Sequence, residues 1–114
     1  MNERDELYLV HISECIDRIR RYTAAGRDNF LNDSKTSEAV LRSLQTLAES
    51  TMRLSQDVKT PYPEIEWSKI AGLRNVLVHE YLGVDLELIW EVVAQDLPRL
   101  GSVIGEILGT KDAD

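Results

Sequence analysis

The chain has 114 residues, 43% apolar and 29% charged, with three prolines, six glycines and a net charge of −7. That length holds one domain, 1–114, with a core of its own, and the composition excludes a disordered or low-complexity chain. No apolar run approaches the roughly 18 residues that span a bilayer. The charged start, residues 1–6, lacks the apolar stretch of a leader, so the chain reads as soluble and cytoplasmic. A lone Cys15 excludes an internal disulfide framework and a thiolate metal site. The acidic balance argues against indiscriminate clamping of long nucleic acid, which takes clustered Lys and Arg, yet leaves room for a local cationic cleft.

Leu9, Ile12, Ile16 and Ile19 recur at helical spacing with Tyr8, Cys15 and Tyr22 beside them, predicting a first helix stopped by Gly26. Residues 27–33 are polar apart from Phe30 and Leu31 and read as a connection with about one helical turn. Asp33 or Ser34 caps a second helix whose inner stripe is Val40, Leu44, Leu47, Thr51 and Leu54. Pro61 and Pro63 enforce extended backbone and end it. A third helix starts between Glu64 and Trp67 and runs through Ile70, Ala71, Arg74, Leu77 and Val78 to a stop at Gly83. Asp85 caps a fourth, in which Leu86, Ile89, Val93, Leu97, Leu100, Ile104 and Ile107 form a heptad stripe. Pro98 interrupts that stripe and should kink or split the helix. Gly101, Gly105 and Gly109 fall four apart, the pattern of a smooth packing ridge. No window alternates with period two between turn residues, so the architecture is an all-α, antiparallel helical bundle.

Reactive side chains are few. His11 and His79 lack metal-ligand spacing, and there is no glycine-rich phosphate loop or nucleophile elbow, so neither a metal nor a cofactor is expected. Cys15 reads as a buried structural thiol and His11 as a structural or solvated imidazole. What remains is the run Arg74-Asn75-Val76-Leu77-Val78-His79-Glu80-Tyr81. Arginine grips phosphate bidentately and stabilises growing negative charge, and histidine moves a proton near neutrality. Those are the parts needed for phosphodiester cleavage. The same residues also describe an ordinary helix end, with an arginine paired to an acid and a histidine at the negative end of the dipole. On an ideal helix Arg74 and Tyr81 share a face, whereas His79 is rotated about 140° from Arg74. Either the helix ends within the motif, or a second protomer completes the site.

The Arg-x4-His-x-Tyr pattern resembles the motif of the HEPN superfamily. The run Tyr62-Pro63-Glu64-Ile65-Glu66-Trp67-Ser68-Lys69-Ile70-Ala71-Gly72-Leu73-Arg74-Asn75 is similar to the segment preceding the motif in HepT-like toxins. Leu82-Gly83-Val84-Asp85-Leu86, Trp90 and Asp96-Leu97-Pro98 resemble the segment on its C-terminal side, and the resemblance covers nearly the whole chain. It departs on the second helix, where the family often carries an Asn, a Glu and a Gly-Glu pair and this chain has Ser43, Gln45 and Ala48-Glu49. The resemblance implies a homodimeric HEPN-like bundle with two motif copies facing one cleft. It implies a metal-independent endoribonuclease, the toxin of a type VII toxin-antitoxin system, with Arg74 and His79 catalytic and Asn75 and Tyr81 supporting. The substrate would be messenger or transfer RNA, and the product a 2′,3′-cyclic phosphate. It further implies an MntA-like nucleotidyltransferase antitoxin that silences the toxin by AMPylation of Tyr81. The alternative is a non-catalytic nucleotide- or RNA-binding HEPN subunit of a minimal nucleotidyltransferase.

Overall fold

The computed structural model describes residues 1–113. In order these form α1 (Glu3–Tyr22), α2 (Arg27–Asn32), α3 (Ser34–Met52), α4 (Gln56–Lys59), α5 (Trp67–His79), a 3₁₀ turn (Tyr81–Gly83), α6 (Leu86–Glu91), a π-helical turn (Val92–Asp96) and α7 (Leu97–Ala113). No strand occurs among the described residues, and the expected all-α bundle is what forms.

Asn2 starts α1 by accepting the Asp5 N–H on Oδ1 at 2.7 Å, and Glu3, Asp5 and Glu6 complement the positive end of the helix. The helix stops short of the expected Gly26. Thr23 ends it, donating both its N–H and its Oγ1 hydroxyl to the Ile19 carbonyl at 3.0 and 2.8 Å. Gly26, at φ +93°, instead turns the chain into α2. The expected connection is a six-residue helix because Phe30 is fully buried, its ring centroid 5.6 Å from that of Trp90. Asp33 then caps α3, and the inner stripe Val40, Leu44, Leu47 and Thr51 is buried as the spacing requires.

One hydrophobic cluster joins all the long helices. At its lower end the buried Asp5 accepts the Ser55 N–H on Oδ1 at 2.9 Å and the Ser55 hydroxyl on Oδ2 at 2.7 Å. This pins the start of α1 to the chain just past α3. Burial lowers the Lys59 pKa here, while the Asp5 charge opposes that shift. Asp5→Ala orphans both Ser55 donors, so it is expected to cost about 1–3 kcal/mol, seen as a lower urea midpoint at unchanged slope. An unchanged midpoint would remove the structural role assigned to this carboxylate.

At the other end Arg27 Nη2 lies 3.4 Å from Glu87 Oε1, and with the Phe30–Trp90 contact this seats α6 beside α2, near the start of α3. The short 3₁₀ connection from α5 to α6 therefore makes α5 run antiparallel to α3, carrying His79 toward the α3 N-terminal end. Pro98 does not break the last helix. The π-helical turn accommodates it upstream, with the Leu97 N–H donating to the Val92 carbonyl. Widening the turn draws backbone carbonyls clear of a ring that has no N–H to offer them. The glycine ridge matters at one position. A Cβ on Gly101 would lie 2.8 Å from Arg20 Nη2 and 3.7 Å from Ile16, whereas Gly105 and Gly109 meet nothing within 4 Å.

Candidate functional site

α5 buries only Leu77 fully, and lays Leu73 and Arg74 half-buried against its neighbours. Arg74 Nε lies 3.8 Å from Glu49 Oε1 on α3, and that oxygen accepts Gln45 Nε2 at 3.1 Å. Arg74 Nη1 donates to Asn75 Oδ1 at 3.3 Å. The buried Nε has no hydrogen-bond partner, since 3.8 Å is an ion-pair distance and too long for a hydrogen bond. The guanidinium is thus placed by charge, with most of its donors uncommitted. Of the second-helix positions named above, Glu49 meets Arg74 and Gln45 in turn holds Glu49. Their i, i+4 spacing on one helix face was the available signal, but which helix they faced was not.

The helix ends at His79, four residues before the expected Gly83. Glu80 leaves helical geometry at φ −126°, its N–H still donating to the Val76 carbonyl at 2.8 Å, and the 3₁₀ turn comes next. Tyr81 therefore does not continue α5: the helix ends within the motif, one of the two alternatives left open, and the face that Arg74 and Tyr81 share on an ideal helix does not extend to Tyr81. His79 and Tyr81 are exposed and line an open hollow with Val78, Glu80, Leu82 and Gly83, in which Arg74 has no part. Arg74 meets Asn75 and Glu49, the latter held by Gln45, while His79 and Tyr81 line the hollow; five residues apart on α5, Arg74 and His79 point about 140° apart around its axis. Around them Val76 and Val78 are exposed and Leu82 is 99% exposed, an apolar fringe that water alone does not favour.

The other imidazole is tied into the scaffold. His11 Nδ1 lies 2.7 Å from Ser50 Oγ, and its Nε2 lies 3.7 Å from the sulfur of the fully buried Cys15. Arg18 Nη2 donates to that sulfur at 3.5 Å, which raises the Arg18 pKa above its ordinary value. A second groove, about 390 Å³ and floored by Leu44 and Leu47 of α3, lies between α5 and the α6–α7 segment. It contains no residue of the Arg74–Tyr81 run. Glu64, Glu66, Glu91 and Asp96 outnumber Lys69 and Arg99 on its wall, a poor lining for phosphate. No group of three or more His, Cys, Asp or Glu among the described residues is placed to hold a metal ion. No helix among them is long and apolar enough to cross a membrane.

An all-α bundle bearing the Arg-x4-His-x-Tyr pattern has the features of a HEPN protein. Within that superfamily the chain belongs to the family described as Ribonuclease HepT-like, which it matches over residues 12–107. It is 38% identical over 94 residues to the "Probable ribonuclease HepT" of Thermococcus cleftensis, covering 82% of this chain and 86% of that one. It is 34% identical over 102 residues to a chain of Caldanaerobacter subterraneus subsp. tengcongensis provisionally named an RNase, covering 89% and 91%. A Methanocaldococcus jannaschii protein, whose name joins gamma-glutamylcyclotransferase to a provisional RNase, is 34% identical over 113 residues. That match takes in 98% of this chain but 51% of the longer protein. No solved structure matches. Ribonuclease activity is the function at the level of the family.

Proposed function

We propose that residues 1–114 form one HepT-like domain that cuts messenger or transfer RNA as the toxin of a type VII toxin-antitoxin pair in the cytoplasm. The observation that carries this reading is a guanidinium with uncommitted donors on the helix that ends at an exposed imidazole. In the reaction a ribose 2′ oxygen bonds to the adjacent phosphorus and the bond from phosphorus to the 5′ oxygen breaks. The 2′ proton passes to His79, the leaving 5′ oxygen takes up a proton, and Arg74 stabilises the phosphorane between them. The products are a 2′,3′-cyclic phosphate and a 5′-hydroxyl, with no metal required. Purified protein should therefore cut RNA in the presence of a chelator and leave cyclic ends. A chain that binds RNA and never cuts it would instead be a non-catalytic subunit.

Because Arg74 and His79, five residues apart on α5, point about 140° apart around its axis, the active species is a two-fold homodimer whose interface includes the end of α5. The exposed Val76, Val78 and Leu82 supply its apolar contact. Leu82→Asp is expected to shift the protein to monomer in sedimentation and to lower cleavage in parallel. A wild-type monomer with full activity at nanomolar concentration would defeat this.

Control falls on Tyr81. AMP attached to its exposed phenol adds an anionic phosphate and a nucleoside at the mouth of the site, competing with RNA. Coexpression with the MntA-like nucleotidyltransferase and ATP should add AMP to Tyr81 and silence cleavage, and Tyr81→Phe should escape the modification. Modified protein that still cuts at the full rate would refute this control.

A further inference from the structure

Several cations of the described chain already have partners. Arg20 pairs with Asp17, Arg27 with Glu87, Lys69 with Glu66 and Arg74 with Glu49. Lys35, Arg42 and Arg53 on or bordering α3 are exposed and have no ion-pair partner among the described residues. At about 100° per residue, Arg42 lies some 20° and Arg53 some 40° from Glu49 around the α3 axis, so all three share the outer face that Arg74 reaches. Along the axis, at about 1.5 Å per residue, Arg42 lies roughly 10 Å from Glu49 on one side and Arg53 roughly 6 Å on the other. The antiparallel course of α5 carries His79 and Tyr81 toward the Arg42 side. The carboxylates within α3 are Glu38, on this same face one turn from Arg42, and Glu49, which faces Arg74. In a chain of net charge −7 this face nonetheless carries more cations (Lys35, Arg42, Arg53 and the incoming Arg74) than carboxylates.

We propose that Arg42 and Arg53 bind RNA phosphates on either side of the phosphate held by Arg74, so that a single strand runs along the outer face of α3. This rests on the reading of the protein as a ribonuclease and adds the path of its substrate. A row of guanidinium groups along one helix tracks a flexible backbone without reading bases, which suits sequence-tolerant strand binding. Flanking contacts made equally in ground and transition states set KM and leave kcat to the central groups.

The test uses the whole protein and a short fluorescent single-stranded RNA with 2′-O-methyl groups, which binds but cannot be cut. Arg42→Gln and Arg53→Gln should each weaken binding several-fold and lower the slope of log K against log salt by about 0.7 per contact. With cleavable RNA each should raise KM and spare kcat. Arg21→Gln, which removes an exposed arginine at the end of α1, should change neither. Unaltered affinity and slope in both variants, with wild-type protein still cutting RNA, would overturn the strand path alone. Wild-type protein that neither binds nor cuts RNA would overturn the ribonuclease reading itself. Loss of antitoxin binding in Arg42→Gln, with RNA binding intact, would show that the row serves a protein partner and would also refute the path.

Discussion

His79→Ala is expected to lower RNA cleavage by about 10²–10⁴-fold, the usual worth of a positioned proton-transfer group. The side chain is exposed at the last residue of α5 and touches no core cluster, so its loss should leave the melting temperature unchanged. His11→Ala should behave in the opposite way. It breaks the 2.7 Å contact with Ser50 between α1 and α3 and so lowers stability, while activity per folded molecule is retained. Circular dichroism melts read beside cleavage rates separate the two imidazoles. A folded His11→Ala variant as inactive as His79→Ala would show that the proton moves elsewhere.

The core was legible because burial tracks periodicity. Leu9, Ile12, Ile16 and Ile19 on α1 and Val40, Leu44 and Leu47 on α3 recur at helical spacing and are all buried. Asp33 and Asp85 were legible as caps because a carboxylate at a helix start satisfies a free N–H two residues on, and both do so here. What escaped depended on tertiary contact. Residues 27–33 read as a connection with about one helical turn, and the six-residue α2 forms there because Trp90, sixty positions away in the chain, gives the Phe30 ring a place to pack. The stop at His79 has no glycine to mark it, because Glu80 leaves the helix to begin a 3₁₀ turn. The Arg74–His79–Tyr81 pattern was visible as residues, yet its geometry was not. A seven-residue interval places two side chains on one face only while the helix continues, and this helix ends between them. Likewise Glu49 could be seen on the outer face of α3, but its pairing with Arg74 depends on the seating of α5, which spacing on one helix does not fix.

Arg74→Lys is expected to lower kcat by about 10²–10³-fold, the range found for removing a donor to developing charge, with the fold intact. The substitution keeps the positive charge, so bulk attraction for RNA changes little, and the salt dependence of binding should survive. What it removes is the planar fork. Arg74 meets Glu49 through Nε while Nη1 rests on Asn75, leaving the outer donors directed by a rigid plane. A lysine ammonium is a single point on a flexible stem, and Glu49 at the same position would draw it inward, away from the phosphorane. Stability should change by no more than about 1 kcal/mol, because the pair is partly exposed and such ion pairs contribute little. Glu49→Gln separates placement from charge. It keeps an amide oxygen for Gln45 but removes the anion that orients Arg74, so kcat should fall less than in Arg74→Lys while KM stays near wild type. Single-turnover cleavage of one defined RNA measures both variants on the chemical step. An Arg74→Lys enzyme that turns over at the wild-type rate would remove the fork, and with it the phosphate-stabilising role assigned to this residue.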